Sequence, residues 1–195
     1  MSWPWHGLFW LVLLWSGWQP HDRATWWLEV SPALIAWALL YATRHRFTFT
    51  PLVLWLILLH CIILMIGGKY TYALVPAGDW VADWLGGSRN NYDKLGHLAQ
   101  GFVPALVARE LFLKLHVVRG AGWQFALTVL AVLGISAAYE LIEWWVALLS
   151  EEAAESFLGT QGYVWDTQSD MFMALIGAVT ALLMLGRWHD RQLGR

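Results

Sequence analysis

Six apolar segments, separated by short breaks rich in turn residues, constrain this chain more than anything else in it. They run roughly from Trp5 to Trp18, Trp26 to Thr43, Pro51 to Gly67, Leu95 to Val118, Trp123 to Leu149 and Met171 to Trp188. A helix needs about 20 residues to cross about 30 Å of hydrocarbon. The first segment is short by that measure and the third is on the short side. The breaks include Gln19-Pro20-His21-Asp22, Gly67-Gly68, Gly86-Gly87-Ser88 and Gly120-Ala121-Gly122, all turn or breaker signals. The fold class they predict is all-α: a polytopic membrane helical bundle of about six transmembrane helices. Residues 1–195 read as a single integral membrane domain.

Composition agrees. The chain is 58% hydrophobic and 13% charged, about half the charge of an average soluble domain. A net charge of −2 gives no reason to expect a nucleic-acid partner; the partner it does imply is a lipid bilayer. The 16 tryptophans fit membrane–water interfaces, where the ring sits apolar and its N–H stays wet. Cys61 is the one cysteine, so no intrachain disulfide can form. The first apolar run has no basic stretch before it and no small-residue cleavage signal after it, so it reads as a retained helix. The connection from Lys69 to Asp93 carries Trp80 and Trp84 at helical spacing and predicts a short interfacial helix.

Orientation follows from the basic residues. Arg44, His45 and Arg46 lie in the second connection, Lys114, His116 and Arg119 in the fourth, and Arg187, Arg191 and Arg195 in the C-terminal tail. In a six-helix serpentine these share one side, and the positive-inside rule makes it the cytoplasm. Both termini are then cytoplasmic. The fifth connection holds Glu151, Glu152 and Glu155 without Lys or Arg, as expected of the outer side.

That orientation places two polar motifs on the outer face. Asp93-Lys94-Leu95-Gly96-His97-Leu98-Ala99-Gln100 opens the fourth helix, and Gly159 to Asp170 opens the sixth. Asp93, His97 and Gln100 are spaced to share one helix face, as are Asp166 and Asp170. Glu140 and Glu143 lie in the helix between. Ionisable groups at membrane depth are costly unless paired, hydrated or bound to an ion. Facing carboxylates need a proton, a basic partner or a cation to coexist. Lys94 and His97 are the bases within reach, with Lys69 and Arg89 in the loops. A divalent cation (Zn, Mg, Mn or Fe) on His97, Asp166, Asp170 and Asp93 is the economical arrangement. Glu143 or Glu140 then serves as the catalytic base. Gln100, Thr160, Gln161, Gln168 and Glu29 are further polar residues at the same level.

Plainer readings exist for each residue alone. Asp93 and Asp166 can be N-caps. His97 can be a packing hydrogen bond, as can His60 near the midplane. Arg109 can snorkel or pair with an acid. Pro104 leaves the Gln100 carbonyl without its helical partner. Gly101, Gly134 and Gly177 read as close-packing positions. Glu140 and Glu143 have no Lys or Arg at helical spacing, and so fewer innocent explanations.

Three strings carry a resemblance: Tyr92-Asp93-Lys94-Leu95-Gly96-His97 with Gln100-Gly101-Phe102, then Glu140-Leu141-Ile142-Glu143-Trp144, then Gly159-Thr160-Gln161-Gly162 with Trp165 to Asp170. Through them the chain resembles the YjdF-like inner membrane proteins of bacteria, a family without an assigned function. The resemblance implies a multi-pass protein of the bacterial inner membrane and no particular reaction. The pattern is more distantly similar to VanZ-like membrane proteins, which implies work at the cell envelope on lipid-linked or cell-wall intermediates. The leading expectation is a metal-dependent hydrolase or transferase acting on such a lipid. The alternatives are a proton-coupled transporter or channel, and an accessory structural membrane protein.

Overall fold

The computed structural model describes residues 1–149 and 160–195. Glu151, Glu152, Glu155 and Gly159, on which part of the orientation and motif reading falls, lie outside the described residues.

Local signals set the helix starts. Asp22 caps α2 (Arg23–Thr43), its side chain accepting from the Thr25 N–H at 2.6 Å. Thr50 caps α3 (Pro51–Tyr70), which has proline in its first turn, where a missing N–H costs nothing. Proline likewise opens α1 (Trp3–Gly17) and α4 (Pro76–Trp84). α5 spans Tyr92–Lys114, α6 Ala121–Leu149 and α7 Asp166–Gln192. A three-residue 3₁₀ turn, Tyr72–Leu74, joins α3 to α4. Among the described residues there is no strand. α4 is the expected short helix, with Trp80 and Trp84 exposed.

Three helices, α3, α6 and α7, are both long enough and apolar enough to cross a membrane. α1 has 15 residues. α2 and α5 have 21 and 23 residues, but α5 carries Asp93, Lys94, Arg109, Glu110 and Lys114. The outward faces are apolar throughout, with Leu11, Leu14, Leu130, Leu183 and Met184 exposed.

The core is centred on α5 and α7, the most closely packed pair. A Cβ on Gly101 would lie 1.9 Å from the Ala174 carbonyl oxygen, and one on Gly177 2.2 Å from that of Leu98. Ala174, Ala178 and Ala181 continue the seam at helical spacing, each fully buried. Without side chains between them the two backbones touch. Gly134 departs from expectation. Nothing lies within 4 Å of the Cβ it would carry, so it faces outward and closes no helix contact. α6 packs on α5 and α7, α2 packs on α3, and α1 packs on α3. α1 is fastened by buried Trp5 and Phe9, with the Trp5 Nε1–H donating to the Leu54 carbonyl at 2.8 Å. Pro32 lies inside α2, and the Leu28 carbonyl it deprives of a partner accepts from the Ser31 hydroxyl at 2.9 Å.

Candidate functional site

The Gly101–Gly177 contact brings the starts of α5 and α7 together. Asp93 and Asp166 lie in the first turns, but the N-cap positions belong to Asn91 and Trp165, neither making a side-chain cap bond. The two acids are therefore not caps. Their side chains turn sideways, into the gap between helices.

Lys94 reaches across that gap. Its Nζ lies 2.5 Å from Asp166 Oδ1, 2.6 Å from Asp170 Oδ1 and 3.5 Å from Asp93 Oδ2. Arg89, in the loop before α5, donates to Asp166 Oδ1 at 2.6 Å and to the Thr160 carbonyl at 2.8 Å. Gln161 completes this strap: its Oε1 accepts from the Asn90 N–H at 3.1 Å, and its Nε2 donates to the Asn90 carbonyl at 2.8 Å. Asn90 in turn donates to the Val75 carbonyl and to Asp79. Asp166 is thus turned toward two cations, and Thr160 and Gln161 tie the loops. Gln168 is exposed. Lys69 stands apart, bonded to the carbonyls of Trp15 and Trp18.

The second layer of the site is His97. Its Nδ1 meets Gln100 Oε1 at 3.1 Å, and since an amide oxygen can only accept, Nδ1 carries the proton. Nε2 then faces Asp93 Oδ1 at 3.4 Å and Asp170 Oδ1 at 3.9 Å. A bare nitrogen lone pair opposed to two carboxylates is unfavourable, so Nε2 takes either a second proton or a cation. Asp93, His97 and Asp170 each offer a ligand atom, all mutually within 4.8 Å.

Behind this trio, α6 supplies Ser136, Glu140 and Glu143, all buried. Glu140 Oε1 lies 3.9 Å from His97 Nδ1. Glu140 Oε1, Asp93 Oδ2 and Ser136 Oγ are buried without a hydrogen-bond partner among the described residues. Glu29 of α2 receives the Tyr139 hydroxyl at 3.4 Å. Six carboxyl groups (Glu29, Asp93, Glu140, Glu143, Asp166 and Asp170) therefore gather at this end, and the two permanent cations, Lys94 and Arg89, pair with Asp93, Asp166 and Asp170. Glu29, Asp93, His97, Gln100 and Glu143 line one end of a cavity of about 500 Å³.

The chain matches, over residues 1–191, the family described as "Predicted membrane protein (DUF2238)". It is also 56% identical over 185 residues to the "Inner membrane protein YjdF" of Escherichia coli (strain K12), a match covering 95% of this chain and 88% of that protein. It belongs to this family. No solved structure matches it. The chain is accordingly a membrane protein, of the inner membrane like that relative.

Sequence reasoning did not foresee that Lys94 would fold onto Asp166 and Asp170, because the partners are 72 and 76 residues away. It also missed a second buried cluster at the far ends of α5 and α7. There the Glu110 carboxylate accepts four bonds: the Thr50 N–H and hydroxyl, each at 2.8 Å, Lys114 at 2.7 Å and His189 Nε2 at 2.9 Å. His189 Nδ1 accepts from Arg109 at 3.0 Å, and Arg109 also reaches Asp190 at 2.7 Å. Glu110 and His189 are both wholly buried. His189, 79 and 80 residues away, bridges the adjacent Arg109 and Glu110, so the cluster was not visible from their neighbourhood in sequence.

Proposed function

We propose that this inner-membrane protein crosses the bilayer with six helices, both termini in the cytoplasm, and holds a divalent cation at an outer-face site. Asp93, His97 and Asp170 are the ligands. Asp166, engaged by Arg89 and Lys94, fixes the two helix mouths beside them. Held there, a divalent cation would supply Lewis acidity toward a phosphate or ester group of a lipid or cell-envelope intermediate and toward a water. Glu143, which lines the cavity, is the general base of the resulting hydrolysis or group transfer. Glu140, behind His97, holds the imidazole against the cation's charge.

One observation carries this reading: His97 Nε2 faces two carboxylates while its other nitrogen is committed to Gln100. Buried oxygens of Asp93 and Glu140 that make no hydrogen bond among the described residues, the first of them 3.5 Å from Lys94, support it, because a buried acceptor left unmade costs about 1–3 kcal/mol and a bound ion with its water shell would recover that.

The test is elemental. Purified protein is exposed to Zn, Mn, Mg or Fe(II), freed of unbound ion and analysed for metal. About one ion per chain is expected, falling at least tenfold in His97→Ala and Asp170→Asn. Absence of stoichiometric metal from folded protein overturns the cation reading. Proton flux in liposomes that vanishes in Glu143→Gln would replace it with transport.

A further inference from the structure

The cavity that begins at the acidic site continues through most of the bundle. Its wall on α5 runs from Asp93 to Leu111, which at 1.5 Å per residue is about 27 Å. α2 contributes Glu29 to Thr43 along a single stripe. α2 packs chiefly on α3 and α6 on α5 and α7, so α2 and α6 face one another across the cavity, bridged by the Tyr139–Glu29 bond. A space this long that holds about 500 Å³ is a narrow slot. Its carboxyl groups and His97 lie at one end, and one further imidazole stands apart from them. The other end is lined by Phe47, Phe49 and Leu111. This is the shape and polarity of a head group followed by one extended hydrocarbon chain.

That further imidazole is His60. It lines the slot from α3, ten residues or about 15 Å in from Tyr70, between Leu64 on the polar side and Ile57 on the apolar side. Its Nε2 is buried and has no hydrogen-bond partner among the described residues. A buried ring nitrogen left unpaired in a residue that lines an apolar slot is expensive, and nothing along a plain hydrocarbon chain would satisfy it. A carbonyl a few bonds below the head group would.

We infer that the slot binds one acyl chain of an ester- or amide-linked lipid, with its head at Asp93, His97 and Glu143 and its acyl carbonyl accepting from His60 Nε2. This deepens the lipid reading above and rests on it for the end at which the head sits. It favours acyl lipids over polyprenyl ones, which have no carbonyl to offer.

The experiment compares palmitoyl lysophosphatidylethanolamine with its hexadecyl ether analogue, which has the same head and chain length but no carbonyl. Binding to the full chain is measured by native mass spectrometry, with and without chelator. A net hydrogen bond of about 1 kcal/mol corresponds to roughly a fivefold preference for the ester. His60→Leu should abolish that preference while leaving ether binding within about twofold. Ala36→Trp, which fills the slot, should remove both lipids. Equal binding of ester and ether by the wild type, persistence of the preference in His60→Leu, or stronger binding of a polyprenyl phosphate of similar length overturns the inference. An ester preference that survives chelation, beside a failed metal analysis, removes the cation and leaves the slot.

Discussion

The two polar clusters of this protein lie at opposite ends of the same helix pair, α5 and α7, and are balanced in opposite ways. At the Glu110 end, one wholly buried carboxylate receives four donors, and His189 and Arg109 are bonded in turn. At the Asp93 end, Lys94 and Arg89 pair with three of six carboxyl groups, and Asp93 and Glu140 keep buried oxygens without hydrogen-bond partners among the described residues. A satisfied buried network holds helices together. An unsatisfied one is tolerated where something else binds. The same helices thus carry a clamp at one end and a site at the other, and the clamp limits how far the strained end can spread.

The largest expected effect tests that contrast. Glu110→Ala leaves the buried His189 Nε2 and the Thr50 N–H and hydroxyl without their acceptor, and breaking a buried pair costs about 3–5 kcal/mol. Glu140→Gln removes a surplus negative charge and should change stability by less than about 1 kcal/mol in either direction. Equal losses in unfolding experiments in detergent would break the comparison. Gly177→Ala comes next: its Cβ meets the Leu98 carbonyl, so α5 and α7 must part, costing about 1–3 kcal/mol and weakening cation binding through the same displacement. Arg89→Gln should cost about 1–2 kcal/mol, because Lys94 still holds Asp166, and should leave the Glu110 cluster untouched.

The smallest effect lies outside both clusters. The Thr25 N–H holds the Asp22 carboxyl below its usual range. The cap therefore contributes fully above the ordinary carboxylate range and fades as pH falls through the lowered value. Asp22→Ala should cost about 1 kcal/mol at neutral pH. Its deficit against the wild type should narrow between about pH 5 and about pH 3, as read from the unfolding midpoint. A constant deficit would mean that Asp22 does not act through its charge.

Much of the strained end was legible in the sequence, and little of the clamp was. The four-residue spacings of Asp93 with His97 and of Asp166 with Asp170 put each pair on one helix face before any packing was known. Gly101 and Gly177 marked the seam that joins those faces. The wrong reading of Gly134 shows the limit of that signal: a small residue permits close approach without requiring it. Lys94 was counted as a base in reach, but which acids it would serve depended on the register between α5 and α7, which spacing along one helix cannot give. The clamp was hidden for the same reason. Glu110 takes its partners from α3, α7 and its own next turn, and His189 reads in sequence as a residue of a basic tail. The cavity was not legible at all, because its facing walls, α2 and α6, do not pack on one another.

The central claim is that the unsatisfied cluster is a cation site, and the direct measurement is the cation dependence of unfolding. A ligand at about 100 times its dissociation constant stabilises the folded state by about 2.7 kcal/mol. The account predicts that one of the divalent cations raises the unfolding midpoint of the wild type saturably, that Asp170→Asn abolishes the rise, and that Arg89→Gln retains it. A midpoint indifferent to every divalent cation tested, or a rise that Asp170→Asn leaves intact, would contradict it.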